Sequence, residues 1–269
     1  LAEVSNRLSA RYRIPLEDPS RERLEFETSY GTEEIGDGEE RQFEIGARRI
    51  EQRGRYQATV SLDFQRNEDT IGDETTRRDL VLPGAGLSYS RFDDVIYATR
   101  GFRLGGWLSG GAETLGSDVT FLRGRLQGNA VTRLWDGARL LVRGEIGTVD
   151  VDDVDRLPLS QRFFTGGDDS VRGFDYQALW PVNEDGDVVG GRHLAVGSVE
   201  LEQLIVGNWG AAVFTDAGNA MNDWDVALRR SAGVGLRYRS PVGVFRVDLA
   251  RAIDGGDSAR LHLSLGVDL

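Results

Sequence analysis

The carboxyl-terminal stretch RLHLSLGVDL (260–269) alternates apolar and polar residues from its first position to its last. A period of two is typical of a β-strand with one apolar face and one face in water. The apolar members are Leu261, Leu263, Leu265, Val267 and Leu269, and Gly266 lies among the residues of the opposite face. The stretch therefore predicts an amphipathic terminal strand, and the same pattern recurs upstream.

Comparable alternation extends along almost all of the 269 residues. Clear segments occur at residues 8–16, 24–30, 56–64, 122–130, 140–146, 199–201 and 245–249, with weaker ones at 40–52, 78–90, 96–110, 208–220 and 227–239. Together they predict about thirteen strands, many near the ~9–11 residues of a tilted membrane strand. Since no stretch sustains a helical period, we predict an all-β fold, an antiparallel transmembrane β-barrel.

The connections between these segments alternate in length. Short ones are predicted at 17–21, 53–55, 91–95, 135–137, 206–208 and 240–243, and long acidic or glycine-rich ones at 31–40, 66–77, 110–118, 149–192, 218–226 and 252–258. Outer-membrane barrels have short periplasmic turns and long extracellular loops, whereas a soluble sandwich has no reason to keep this order. Parity then makes residues 1–269 one barrel domain, and we expect about three further strands ahead of Leu1.

The composition argues against several other classes of protein. The formal net charge of -12 disfavours nucleic acid as a partner, and the absence of cysteine excludes disulfides and thiolate sites. His193 and His262 are too isolated for a metal centre or a catalytic triad, and none of the common nucleotide-binding, hydrolase or zinc motifs occurs. We therefore expect no enzyme, no cofactor and no metal site.

The longest connection contains QRFFTGGDDSVRGFDYQALWP (161–181), a glycine-rich stretch with aromatic residues throughout. A loop of this length in a compact domain is usually either functional or disordered. Its apolar residues favour packing against the rest of the protein, and within it Arg172 is flanked by Val171, Gly173 and Phe174. We predict that this loop folds back onto the barrel.

Several segments of the chain also resemble one family of membrane proteins. FFTGGDDSVRGFDYQAL (163–179), GSVELE (197–202), AAVFTDAGNAM (211–221), SPVGVFRVDLA (240–250) and the terminal LHLSLGVDL are similar to the carboxyl-terminal barrel of the outer-membrane protein assembly-factor superfamily, and within it to the TamA-like (translocation and assembly module) branch. The motif positions are Val171, Arg172, Gly173 and Phe174 in the loop, Phe214 and Gly218 in the motif strand, and Leu261, Leu263, Leu265, Gly266 and Leu269 in the terminal strand.

The resemblance implies a barrel of about sixteen strands behind periplasmic POTRA domains, in the outer-membrane lipid bilayer of a Gram-negative bacterium. It implies insertion or translocation of client β-barrel proteins and autotransporters, with an inner-membrane-anchored TamB-like partner. Two alternatives remain open, namely a two-partner secretion transporter of the same superfamily and a passive porin-type channel.

The resemblance further implies that the loop enters the lumen, where its arginine meets carboxylates of the inner wall. Alternation places Glu200 and Asp216 on the polar faces of adjacent strands, so both are candidates to bind Arg172. A planar guanidinium suits two carboxylates better than an ammonium does. The alternative is an exposed arginine and two solvated acids.

Overall fold

The computed structural model describes residues 6–168, 170–179, 181–182, 186–254 and 259–266. They form one 13-stranded sheet in which each strand pairs antiparallel with its neighbours in sequence order. The strands are β1 (Asn6–Pro15), β2 (Glu22–Ile35), β3 (Gly38–Arg53), β4 (Tyr56–Ile71), β5 (Glu74–Phe92), β6 (Gly101–Gly111), β7 (Phe121–Trp135), β8 (Ala138–Val151), β9 (His193–Val206), β10 (Trp209–Met221), β11 (Arg229–Ser240), β12 (Gly243–Ala252) and β13 (Ala259–Gly266). The predicted all-β antiparallel fold is confirmed, with β1 and β13 as the edge strands of the described sheet.

Helical structure in the described residues consists of three short 3-10 turns, at Glu113–Leu115, Val154–Arg156 and Leu159–Gln161. None of them has the length or the apolar character that a membrane-crossing helix needs. The two 3-10 turns after β8 belong to the long connection of residues 152–192, hereafter the long loop.

The two faces of the sheet differ in the way that the alternation predicts. On β10, Val213 is 53% exposed, whereas Phe214 and Asp216, which share the opposite face, are buried. Large apolar side chains are exposed in the same way on strands across the sheet, including Leu8, Val60, Leu104, Leu126, Val234 and Leu263. We call this the apolar face and the opposite one, which carries Glu200 and Asp216, the polar face.

The predictions of two long loops are wrong. Residues 31–40 and 66–77 lie mostly in strands, because β2 and β3 are joined through positions 36–37 alone, and β4 and β5 through 72–73 alone. Gly36 and Gly72 both have positive φ, which such tight turns require. Some of the acidic residues that suggested loops are instead ion-paired across strands, as in Arg7–Glu33 and Arg41–Glu68. The predicted short turn at 91–95 in fact extends over 93–100.

The long loop covers part of the polar face and encloses a small apolar core there. Strand residues Leu80, Leu82, Phe121, Val149, Val151, Leu194 and Ala220, with Val119 of the connection between β6 and β7, pack with long-loop residues Val154, Leu157 and Phe163. The Phe163 ring lies against Gly147, where a Cβ atom would overlap it. Burial of these side chains fixes the loop on the sheet, because apolar contact is the main source of stability for such a segment.

Candidate functional site

Arg172 of the long loop lies on the polar face, where its guanidinium meets three carboxylates. Its Nε and Nη2 donate to Asp216 Oδ2 and Oδ1 over 2.8 and 2.9 Å. Its Nη1 donates to Glu200 Oε2 over 2.8 Å and to Asp248 Oδ2 over 3.0 Å. A further bond, 3.2 Å long, joins Nη2 to Ser198 Oγ, so all five guanidinium donors are used. We call this arrangement the arginine clamp.

The side chains of the clamp are almost completely buried. Arg172 is 6% exposed and Asp216 is 1% exposed. Burial would lower the pKa of Arg172, but the hydrogen bonds and charges of Asp216 and Glu200 outweigh it and raise that pKa above its ordinary value. The guanidinium is therefore charged at every physiological pH. Removing one partner of such a buried pair leaves an uncompensated charge, which typically costs ~3–5 kcal/mol.

Backbone and aromatic contacts hold the same loop segment in place. The Arg172 amide donates to Asp216 Oδ2 over 3.1 Å, and the guanidinium carbon lies 3.4 Å from the centre of the Phe214 ring. Cation–π contact of this kind adds to the ionic attraction. The ring occupies space above Gly233 of β11, where any side chain would overlap it. Phe214 thus supports the arginine from below.

Two glycines allow the loop to approach the sheet. Val171 is fully buried above Gly218, where an added Cβ atom would lie 2.9 Å from Val171 Cγ2. Gly173 has φ 93° and passes within contact of the β12 backbone at 251–252, so it combines a left-handed conformation with a close approach. Phe174 is only half-buried.

The structure therefore brings together Arg172, Glu200 and Asp216, as alternation and the resemblance led us to expect. Phe214 and Gly218 of the motif strand lie in the same cluster. The importance of these residues for function stays a prediction.

Sequence reasoning missed Asp248, which belongs to the clamp, and Arg237, which is buried beside it. Asp248 lies between Val247 and Leu249, and Arg237 between Leu236 and Tyr238, so alternation alone places both on the polar face. The missing information was the register, which decides which polar residues of β11 and β12 lie near the loop.

The terminal strand β13 shows its predicted apolar residues Leu261, Leu263 and Leu265 on the apolar face, each more than half exposed. Gly266 pairs with Val244 of β12. Leu269 lies outside the described residues.

The long loop also contacts β13. The amide of Gly173 donates to His262 Nε2 over 3.0 Å, and Arg260 Nη2 donates to Asp175 Oδ2 over 2.7 Å. His262 Nδ1 is in contact with Asp168. The isolated histidine of the sequence thus connects the loop to the edge strand.

The arrangement offers ionic and hydrogen-bond recognition. Within the described ranges, no group of three or more His, Cys, Asp or Glu side chains is placed to hold a metal ion. The acids of the clamp are engaged by arginines. The geometry is that of a structural attachment between a loop and the wall that it covers.

Amphipathic antiparallel strands with an exposed apolar face, and a polar face covered by an ion-paired loop, define the class of outer-membrane β-barrel proteins. Comparison with known families then narrows the class, because a sequence profile of the Omp85 superfamily domain matches residues 3–268. The chain belongs to the Omp85 superfamily, and its location is the bacterial outer membrane.

Two curated relatives share the sequence pattern. The chain is 29% identical over 160 residues to the outer membrane protein assembly factor BamA of Nitratidesulfovibrio vulgaris, covering 56% of this chain and 20% of that protein. It is 31% identical over 226 residues to BamA of Neorickettsia risticii, covering 73% of this chain and 29% of that protein. The chain thus spans less than a third of the length of either relative. Since both are BamA proteins, the TamA-like branch stays a prediction.

Solved structures share the fold. BamA from Haemophilus ducreyi lacking POTRA domains 1–3 superposes with a TM-score of 0.81 at 15% identity, covering 96% of this chain and 60% of that one. CdiB from Acinetobacter baumannii gives 0.62 at 14% identity, covering 97% and 49%. CdiB from Escherichia coli gives 0.66 at 14% identity, covering 97% and 52%. At such identities the likeness concerns the fold alone.

Proposed function

We propose that this chain is the membrane-embedded part of an assembly factor that inserts β-barrel proteins into the bacterial outer membrane. The observation that carries the proposal is the arginine clamp, in which a loop arginine with all its donors used attaches the long loop to the polar face. The BamA identity of both curated relatives supports it.

The proposed mechanism is non-covalent. β1 and β13 are edge strands of the described sheet, and an edge strand presents unpaired backbone groups to which another strand can add. A client strand would pair at such an edge while the surrounding lipid is locally perturbed. The clamped loop would keep the sheet in the curvature that this pairing needs, so loosening it should slow insertion.

A narrower form of the hypothesis comes from the sequence resemblance. It adds a TamA-like identity, autotransporters among the clients, a TamB-like partner anchored in the inner membrane, preceding POTRA domains, and a closed barrel of about sixteen strands with the loop in its lumen. Non-enzymatic action, without cofactor or metal, belongs to the same hypothesis. Sequencing of the full gene and counting of its POTRA domains would test this form first.

A two-partner secretion transporter is the second candidate, because two CdiB structures share the fold over 97% of this chain. Such a transporter passes a secreted partner across the membrane and does not insert unrelated barrels. Client choice therefore separates the candidates. A passive channel would insert no client at all.

The experiment uses the full-length protein in lipid vesicles, with an unfolded outer-membrane barrel added as client. Client folding is followed by heat-modifiable gel mobility, and autotransporter display is scored in cells. We expect Arg172→Ala to slow client folding at least about tenfold, because it leaves three acids around an empty space, and Arg172→Lys to restore it in part.

Arg66→Ala is the matched control, because Arg66 of β4 forms an exposed ion pair with Asp79 of β5, and neither strand pairs with a strand of the clamp. The control should insert clients at the normal rate. Normal insertion by Arg172→Ala would remove the clamp from the mechanism, and insertion-inactive wild-type protein that exports one dedicated partner would favour the transporter.

A further inference from the structure

A second buried arginine lies directly beside the clamp. Arg237 of β11 is 2% exposed, and its Nη1 donates to Asp248 Oδ1 over 2.5 Å while its Nη2 donates to Glu200 Oε1 over 2.6 Å. Arg172 takes the other oxygen of each acid, Glu200 Oε2 and Asp248 Oδ2. Each carboxylate is therefore divided between two arginines, one from the loop and one from the wall.

The ionic contacts continue away from the loop. Arg237 Nε donates to Glu202 Oε1 over 3.1 Å, and Glu202 Oε2 accepts a bond of 2.7 Å from Arg139 Nε on β8. Arg139 Nη1 then donates to the carbonyl oxygen of Ala98 over 2.6 Å. Its guanidinium also lies 3.5 Å from the centre of the Tyr97 ring.

Ala98 and Tyr97 belong to the connection between β5 and β6, residues 93–100. Since all neighbouring strands are antiparallel, this connection lies at the end of the sheet opposite to the long loop. The Tyr97 ring is enclosed by two guanidinium groups, because Arg239 lies 3.1 Å from the same ring centre. A turn at one end is thus joined to a loop from the other end through buried charged groups.

We propose that Arg237 and Arg139 are positioning residues for the arginine clamp. With Arg172, Glu200, Asp248 and Glu202 they form an ion ladder that fixes the long loop relative to the 93–100 turn. The inference rests on the proposed function, because the ladder matters for client insertion only if the clamp does. The physical reason is that an acid losing one of two arginines keeps its burial but loses half its compensation, so its position under Arg172 changes.

The absence of cysteine from the chain makes a direct test possible. A single Val171→Cys substitution places a thiol on the long loop, at a position where the side chain is fully buried against the polar face. Its rate of labelling by a maleimide reagent, in full-length protein in lipid vesicles without client, reports how often the loop leaves the polar face.

In that background Arg139→Gln removes the far end of the ladder without touching the loop. We expect labelling to become at least about tenfold faster, and Arg139→Lys to bring the rate back in part because it keeps the charge. Arg237→Gln should act in the same direction and at least as strongly. Tyr97→Leu leaves every charge in place and should raise the rate about twofold.

Arg133→Gln is the matched control. Arg133 is directly opposite Arg139 in the pairing of β7 with β8, yet it is exposed and forms no ion pair within the described part of the chain. Its substitution should leave the labelling rate unchanged.

The ladder would be overturned if Arg139→Gln and Tyr97→Leu proteins with normal heat-modifiable mobility were labelled at the same rate as the Val171→Cys protein. Should Arg139→Gln fail to fold, the labelling rates of Tyr97→Leu and Arg139→Lys still test the ladder. Client insertion is measured separately on the same proteins. Faster labelling together with no client insertion by the wild-type protein would refute the proposed function and leave the ladder standing. Faster labelling with normal client insertion would remove the clamp from the insertion mechanism alone. A background labelling rate in Arg139→Gln, with slow insertion by Arg172→Ala, would refute the ladder and leave the proposed function standing.

Discussion

The long loop is attached to the sheet at two places that use different physics. Near its beginning, Glu40 Oε2 of β3 accepts from the Ser160 amide over 2.9 Å, and Gln161 Nε2 donates to Gln65 Oε1 over 3.1 Å. Leu159 is buried between them. Near its middle, Arg172 is bound by three carboxylates. We call the first the amide anchor and keep the name arginine clamp for the second.

The charge pattern is opposite at the two attachments. At the amide anchor two acids, Glu40 and Asp69, are directly paired across β3 and β4, and neither forms a salt bridge with an arginine in the described residues. At the clamp each acid has an arginine. Negative charge therefore stabilises the arginine clamp and destabilises the amide anchor. Replacing an acid by its amide should consequently destabilise the protein at the clamp and not at the anchor.

The largest effect should come from Asp216→Asn. Asp216 accepts both the Nε and an Nη2 bond of Arg172, and the amide can neither balance the guanidinium nor accept on both sides. We expect the free energy of unfolding to fall by ~3–5 kcal/mol, measured by urea denaturation in detergent micelles. Asp254→Asn, which affects an exposed ion pair with Arg230, is the control and should leave the unfolding midpoint unchanged. Equal midpoints for both variants would contradict the importance of charge at the clamp.

A smaller effect should follow from Gly233→Ala. The new methyl group would overlap the Phe214 ring, and the ring could move only by losing its contact with Arg172. Overpacking of this kind typically costs ~1–3 kcal/mol. Gly197→Ala is the matched control, because a Cβ atom there would have nothing within 4 Å. The same urea measurement distinguishes them, and a stable Gly233→Ala protein would show that Phe214 does not support the clamp.

At the amide anchor Glu40→Gln should change the free energy of unfolding by less than about 1 kcal/mol. The amide oxygen can still accept from the Ser160 amide, while the repulsion between Glu40 and Asp69 disappears. The same isosteric change at Glu200 should be far more costly, since Glu200 serves two arginines. A large loss for Glu40→Gln would abolish the distinction between the two attachments.

The smallest effect concerns the 93–100 turn and depends on pH. Burial opposes ionisation of Asp93, but the Thr99 hydroxyl and the amides of Thr99 and Arg100 outweigh it and lower its pKa to about 2. A depressed pKa stabilises the fold above the ordinary value of about 4, and this contribution is lost as the pH falls from there towards 2.

Asp93→Asn should therefore lower the free energy of unfolding by a few tenths of a kcal/mol at neutral pH, because Asp93 is exposed and solvent screens its contacts. The difference between variant and wild type should shrink by about pH 2, as measured by thermal unfolding at both pH values. If the stability difference between Asp93→Asn and wild type grew on acidification, the lowered pKa of Asp93 would be contradicted.

Alternation predicted the faces of the strands well because a period of two is a local property. It could not predict the whole clamp, because Asp216 of β10 and Asp248 of β12 meet across the intervening strand β11. They do so because β11 has Gly233 and Gly235 there, and a Cβ atom at Gly235 would overlap Asp248. Contact across a strand depends on register and on empty glycine positions together, and neither is visible from one segment alone.

The hairpins at 36–37 and 72–73 were missed for a different reason. Their strands end in charged residues on both faces, which sequence reasoning takes for loops. The signal was nevertheless present, because both turns read Gly-Asp, a typical two-residue hairpin connection.

Glu200 and Asp248 each bind two arginines, and this sharing has an evolutionary consequence. A substitution at Glu200 or Asp248 disturbs Arg172 and Arg237 at once, so single changes at these positions should be removed by selection even where the loop itself is spared. We expect descendants of this sequence to keep the four residues as one inherited unit or to replace several of them in the same lineage.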